Sequence, residues 1–290
     1  MDPEKLEATL QSLTEPSNAS QRVRRLPVFV NATAGTTVLG SFDNLRAIAA
    51  VAKRHGCWMH VDGSWGGPVL FSRTHRDLMD GIELADSFTI NPHKALNVPL
   101  QCSFLILREG KKWFGAGGKG AQYLFHSSNV SNNAGMKTLG CGRRGDALKF
   151  YLSWLRYGRE GFGDHIDKGI ALAERVASMV KAHGDKLQLH LGPDRQFMQV
   201  CFRPSSPHLS QGPPCLNANI ELLSKAAVEV RNRLQDEKMF AVDFAPLPEG
   251  VGQFIRLVVH PRAKESDLRV LVDRVALLGQ DYFAALLKEK

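Results

Sequence analysis

Residues 60–94 read HVDGSWGGPVLFSRTHRDLMDGIELADSFTINPHK, and the two apolar runs that enter and cross this stretch decide the fold. Cys57–Val61 and Ser87–Ile90 are short and mostly apolar, the pattern of strands buried in a parallel sheet. Each run ends in polar chemistry. The first ends at Asp62 and a glycine-rich turn, the second at Asn91-Pro92-His93-Lys94. In open α/β sheets ligands bind beyond the carboxyl ends of the strands. Adjacent strands of this kind bring a carboxylate and a primary amine to one crevice.

Such a pair suits pyridoxal 5'-phosphate (PLP). A lysine holds the aldehyde as a Schiff base, and an acid keeps the pyridine nitrogen protonated so that the ring acts as an electron sink. Taken singly, each residue also has a plain reading: a solvated lysine, or an aspartate capping the next turn. Six segments in register carry more weight. NATAGTTVLGSFD at 31–43, HVDGSWGG at 60–67, NPHKALNVPLQCSFLI at 91–106, YLF at 123–125, GCGRR at 140–144 and FIRLVV at 254–259 resemble, in this order, the group II PLP-dependent amino acid decarboxylases, glutamate and cysteine sulfinate decarboxylases in particular.

The resemblance implies an α/β chain of the PLP-dependent transferase-like architecture (fold type I). Residues 1–160 would form part of the large PLP-binding domain, with a mostly parallel sheet, and residues 161–290 a small α+β C-terminal domain. It implies that Lys94 forms the Schiff base, that Asp62 pairs with the pyridine nitrogen, and that His93 lies beside the cofactor phosphate. Thr33 is equally a cofactor contact or part of a plain strand-to-helix turn. Ser64 stands where the family usually has an alanine packed on the cofactor face, which puts a hydroxyl near the ring. Arg256 matches a family arginine that binds a substrate carboxylate, for which the guanidinium fork is suited; its plain reading is a surface arginine on an alternating strand. The implied reaction is decarboxylation of an acidic L-amino acid, glutamate first, then aspartate or cysteine sulfinate, by a homodimer with sites at its interface.

Composition narrows the rest. The 290 residues are 43% hydrophobic and 23% charged, ordinary for a globular protein of one large domain or two smaller ones. No run approaches the ~20 apolar residues of a membrane span, so no membrane partner is expected. MDPEKLEATL lacks the basic and apolar regions of a signal peptide. Five cysteines with no CxxC pairing argue against a disulfide framework or zinc site and for a reducing, cytoplasmic setting. Ten histidines without an HExxH pattern argue against a catalytic metal. The net charge of +8 includes one tight cluster, Arg22, Arg24 and Arg25, without interleaved aromatics. This reads as a solvated basic surface for an anionic cofactor and an acidic substrate rather than a nucleic-acid partner. Gly115–Gly120 satisfies GxGxxG, but it does not directly follow a strand and no acid comes before Asp146, so it reads as a connection.

Periodicity and turn chemistry place helices at 3–13, from a Ser41 or Asp43 cap to His55, at 74–84, 146–158, 161–183, 217–236 and 264–287. Strands fall at 26–30, 102–107, 187–191, 199–203, 239–245 and 254–260, besides the two above. By resemblance the 102–107 strand is antiparallel to its neighbours, and 126–142 is the family's catalytic loop. That loop normally carries a tyrosine that returns a proton to the substrate, yet none lies between Phe125 and Arg143, and Tyr123 precedes it. A tyrosine-free loop admits a second outcome, decarboxylation-dependent transamination. The resemblance also covers only the C-terminal part of a family member. The sheet starting at Leu26 is therefore expected to have an open edge and an uncovered face, and a third reading is a truncated, non-catalytic interaction subunit.

Overall fold

The structure, a computed structural model, describes residues 1–14, 26–110, 144–190, 197–207, 217–247 and 250–288. The chain divides into two units, residues 1–34 with 43–162, and residues 35–42 with 163–290. The Arg22–Arg25 cluster, the Gly115–Gly120 run, Tyr123 and the 126–142 loop lie outside the described residues.

In the first unit α1 (Pro3–Thr14) packs on α2 (Leu45–Arg54), where Glu7 takes a hydrogen bond from Arg54 Nε at 3.1 Å and lies 2.8 Å from His55 Nε2. Leu45, Ile48, Ala49, Val51 and Ala52 form the buried face of α2. Its cap is Asn44, whose Oδ1 accepts from Ala47 N at 3.0 Å, rather than Ser41 or Asp43. Asp43 is engaged elsewhere: its Oδ2 accepts from Thr33 N at 2.8 Å. Gly56, at φ +65°, turns the chain out of the helix, as a glycine does at no steric cost.

Strands β1 (Phe29–Thr33), β2 (Trp58–Asp62), β3 (Ser87–Ile90) and β4 (Phe104–Leu107) form a sheet in that order. β1, β2 and β3 are parallel, and β4 is antiparallel to β3. The period-2 alternation sends Val30, Ala32, Met59, Val61, Phe88 and Ile90 into the core. β1 begins three residues later than the apolar run suggests, so Thr33 closes a strand instead of opening a turn. Residues 74–84 are not an α-helix. Two 3₁₀ turns, Arg76–Met79 and Ile82–Leu84, flank Gly81 at φ +92°, where a Cβ would meet Arg46 N at 2.6 Å. A left-handed residue breaks the α-helical hydrogen-bond ladder, and only glycine fits there.

The two expected helices, 146–158 and 161–183, are present and run on from one another as α3 (Asp146–Ala182), parted by a break at Gly158, φ +61°. In the first unit Phe150 and Trp154 of α3 pack in an aromatic cluster with Phe71, Phe104 and Phe162. Leu148, Tyr151, Leu152 and Leu155 are exposed, as are Leu26, Val28 and Phe29 beside or on β1 and Leu105 and Ile106 on β4.

The second unit is an antiparallel sheet of β5 (Leu187–His190), β6 (Gln199–Pro204), β7 (Asp243–Leu247) and β8 (Gly252–Val258), in the order β5-β6-β8-β7. α4 (Asn217–Asp236), α5 (Glu265–Lys288) and the latter part of α3 cover one face, and Val176, Val180, Val200, Phe202, Val230, Ile255, Leu257 and Val272 fill that core. The other face holds Cys201, Ala245 and Phe254 against Val38 and Leu39. No described helix is long and apolar enough to cross a membrane.

Candidate active site

Parallel pairing puts Thr33, Asp62 and Thr89 abreast at the carboxyl ends of β1, β2 and β3. The chain turns sharply after Asp62. Gly63 N donates to Thr89 O at 3.0 Å and Gly67 N to Gly63 O at 2.7 Å, while Ala34 N donates to Asp62 O at 2.8 Å. A Cβ at Gly63 would lie 2.3 Å from the Phe88 ring, so the turn packs tightly on β3 because Gly63 has no side chain.

Ser64 links the two groups that the sequence brings forward. Its backbone N–H donates to Asp62 Oδ1 at 2.9 Å, and its Oγ accepts from Lys94 Nζ at 3.0 Å. A carboxylate and a primary amine are thereby each one hydrogen bond from the same residue. Lys94 is exposed, and Asp62, Ser64 and Thr33 are partly buried. Lys94 follows β3 through the turn Asn91–Lys94, in which Lys94 N donates to Asn91 O at 2.9 Å. His93 is held by the backbone of Cys102: its Nδ1 lies 2.6 Å from Cys102 O and accepts from Cys102 N at 3.1 Å.

A second polar group on the same sheet face goes unnamed in the sequence reading. His60 Nδ1 lies 2.7 Å from Ser87 Oγ, its Nε2 lies 3.2 Å from Thr89 Oγ1, and Phe29 stacks on its ring. Burial pushes the His60 imidazole below its ordinary range, with the Asp62 charge opposing. Both ring nitrogens are therefore engaged by hydroxyls, two residues before Asp62. The signal for it lies in the period-2 spacing of HVD and SFT, which aligns His60 with Asp62 and Ser87 with Thr89.

Arg256 lies in the second unit, on β8, apart in the chain from the other candidates. Its Nη1 donates to Thr37 O at 2.8 Å, and its Nε is buried without an acceptor among the described residues.

The residues present fit PLP by their chemistry. Lys94 supplies the amine that a carbonyl carbon needs, Asp62 supplies the anion that a pyridine N–H needs, and Ser64 holds both in one place. Asp62, Ser64, His93, Lys94 and Thr33 all belong to the first unit.

Comparison with known proteins shows the family of the chain. The profile of the "Pyridoxal-dependent decarboxylase conserved domain" matches residues 5–205. The chain is 38% identical over 285 residues to the cysteine sulfinic acid decarboxylase of Rattus norvegicus, covering 97% of this chain and 56% of that protein. It is 39% identical over 238 residues to an L-aspartate decarboxylase of Metarhizium robertsii, covering 81% of this chain and 46% of that protein. The crystal structure of mouse CSAD in apo form superposes with a TM-score of 0.84 at 36% identity, over 97% of this chain and 56% of that one. The 4-hydroxyphenylacetaldehyde synthase of Rhodiola rosea superposes with a TM-score of 0.77 at 26% identity, over 97% of this chain and 54% of that one. The chain thus spans about half the length of the relatives that it matches.

Proposed function

The chain belongs to the pyridoxal-dependent decarboxylase family, and on that premise we propose that it serves PLP-dependent decarboxylation of an acidic L-amino acid. The observation that carries this reading is the Ser64 link between Lys94 and Asp62. The names of the cysteine sulfinic acid and L-aspartate decarboxylase relatives support an acidic substrate and set those two amino acids ahead of glutamate. Assembly as a homodimer, implied by the resemblance, belongs to the same proposal.

When bound, PLP supplies the sink for the electron pair left behind by the departing carboxylate. The chain's own residues do the rest. Lys94 Nζ would provide the amine that holds the aldehyde, and Ser64 Oγ orients it. Asp62, steadied at Oδ1 by the Ser64 N–H, holds a proton at the pyridine nitrogen. Arg256 takes a substrate carboxylate along its guanidinium fork. Burial disfavours the charged form of the His60 imidazole, two residues before Asp62.

A second reading changes the product. The likeness to the aldehyde synthase and the absence of tyrosine from 126–142 favour decarboxylation-dependent transamination. Product analysis separates the two, amine marking simple decarboxylation and aldehyde the alternative.

The decisive experiment incubates the purified chain with PLP, reduces it with borohydride and maps the modified peptide by mass spectrometry. We expect a pyridoxyl group on Lys94 that is lost in Lys94→Ala. Absence of label, or label spread over surface lysines, overturns the reading. Cysteine sulfinate, aspartate and glutamate then form the substrate panel.

A further inference from the structure

The second unit contains a contact system that reading the sequence does not suggest. Residues 35–42 leave the first unit after Ala34, lie against the sheet of the second unit, and return at Asp43. Turn bonds within the segment serve Thr36 O, from Gly40 N at 2.9 Å, and Ser41 O, from Gly35 N at 2.9 Å, but covered carbonyls such as those of Thr37 and Val38 need donors from elsewhere. Side chains of the sheet face supply three donors in succession. Gln199 Nε2 donates to Thr36 O at 3.1 Å and to Thr37 O at 3.3 Å. Arg256 Nη1 donates to Thr37 O at 2.8 Å, and Cys201 Sγ to Val38 O at 3.4 Å. The register makes this arrangement possible, since Cys201 pairs directly with Arg256 across β6 and β8. Gly40, at φ +68°, allows the close approach, because a Cβ there would lie 2.4 Å from Gln199 Oε1 and 3.0 Å from Phe197 N.

Gln199, 2% exposed, is set apart from the other donors because it alone holds two consecutive carbonyls. One of those carbonyls, Thr37 O, is the only acceptor of the Arg256 guanidinium among the described residues. That anchor uses Nη1. It leaves the edge formed by Nε and Nη2, the edge that receives a carboxylate through two parallel hydrogen bonds. The buried Nε without an acceptor is the kind of group that carries a free-energy cost until something accepts from it.

We propose that Gln199 is the positioning residue of Arg256: by pinning the Thr36 and Thr37 carbonyls it fixes the anchor of Nη1, and so presents the Nε–Nη2 edge to a substrate carboxylate. This rests on the reading of Arg256 as the carboxylate-binding arginine. Cys201 plays no comparable part, because burial pushes its thiol up to about 12 and its single weak donor contacts Val38 instead. The role requires a donor at position 199. Glutamate would set a carboxylate against two carbonyl oxygens, leucine would remove both bonds, and asparagine would keep the amide but fall one methylene short.

The test measures succinate binding to the full chain by calorimetry. This ligand carries carboxylates but no amine, so the measurement does not depend on turnover. KM and kcat for the acidic amino acid panel with PLP are measured in parallel. Gln199→Leu is expected to weaken succinate binding and raise KM by about tenfold, the size of one charge-assisted hydrogen bond, with kcat little changed. Gln199→Asn should lie between Gln199→Leu and the parent, and it carries the test if Gln199→Leu does not fold. In an Arg256→Lys background the same substitutions should cost nothing further, because the group they position is gone. If they lower the melting temperature and leave succinate binding and KM unchanged, or if their effects add to that of Arg256→Lys, the positioning role is wrong. If parent and Arg256→Lys bind succinate equally well or not at all, the carboxylate-binding reading of Arg256 fails and this inference fails with it.

Discussion

Ser64 shows how much one side chain changes at this site. Where the resemblance leads one to expect a methyl group, the hydroxyl accepts from Lys94 Nζ. Replacing it with alanine removes one hydrogen bond, worth about 1 kcal/mol. We expect Ser64→Ala still to be labelled at Lys94 after borohydride reduction, but to require several-fold more PLP for half-maximal labelling. His165 provides a prediction about pH. Burial pushes its imidazole from 6.5 down to about 4, with His260, Arg262 and Lys168 adding to the effect. The unfolded chain then takes up this proton more readily than the native one. The stabilisation is complete above pH 6.5 and is lost as the pH falls from 6.5 towards about 4. His165→Phe should flatten the decline of melting temperature across that window, while His60 and His190, also lowered by burial, leave a residual slope.

At the scale of elements, helix α3 carries two faces in its first half. Phe150 and Trp154 enter the aromatic cluster, whereas Leu148, Tyr151, Leu152 and Leu155, spaced i, i+3, i+4 and i+7, are exposed by 59%, 56%, 56% and 64%. An apolar helical stripe of this kind marks an association surface. The outer strands add to it, since among the described residues β1 pairs only with β2 and β4 only with β3. Among the described residues β1 and β4 thus each have one unpaired edge. The isolated chain should self-associate with rising concentration in analytical ultracentrifugation. Leu152→Lys combined with Leu155→Glu should reduce that association without loss of helix by circular dichroism.

For the whole molecule, the second unit depends on bringing residues 35–42 to a sheet built from the far end of the chain. Phe254 is fully buried, packs with Cys201, Ala245, Val38 and Leu39, and stacks on His190 at 5.3 Å. Phe254→Ala should destabilise this unit by about 3–5 kcal/mol, visible as a lower denaturation midpoint in urea.

The strands β2 and β3, the turns after them and helices α1, α4 and α5 were legible because each rests on local chemistry. Asp62 and Lys94 stood out as polar groups after buried strands, whereas Ser64 and His93 became candidates only through the family resemblance. Apolar alternation, glycine in a tight turn and polar residues at strand ends act over a few residues. Thr33 was legible as a residue but not as a strand end, because Asn31 and Thr33 interrupt the apolar run while still alternating correctly across the pleat. The break-up of 74–84 turned on Gly81, whose positive φ and close approach to the Arg46 backbone only a glycine allows. The excursion of 35–42 and the bonds from Gln199 and Arg256 to it join residues 163 and 219 positions apart. No periodicity encodes such a partnership. It exists because covered carbonyls must find donors, and only the folded chain decides which side chains are there to provide them.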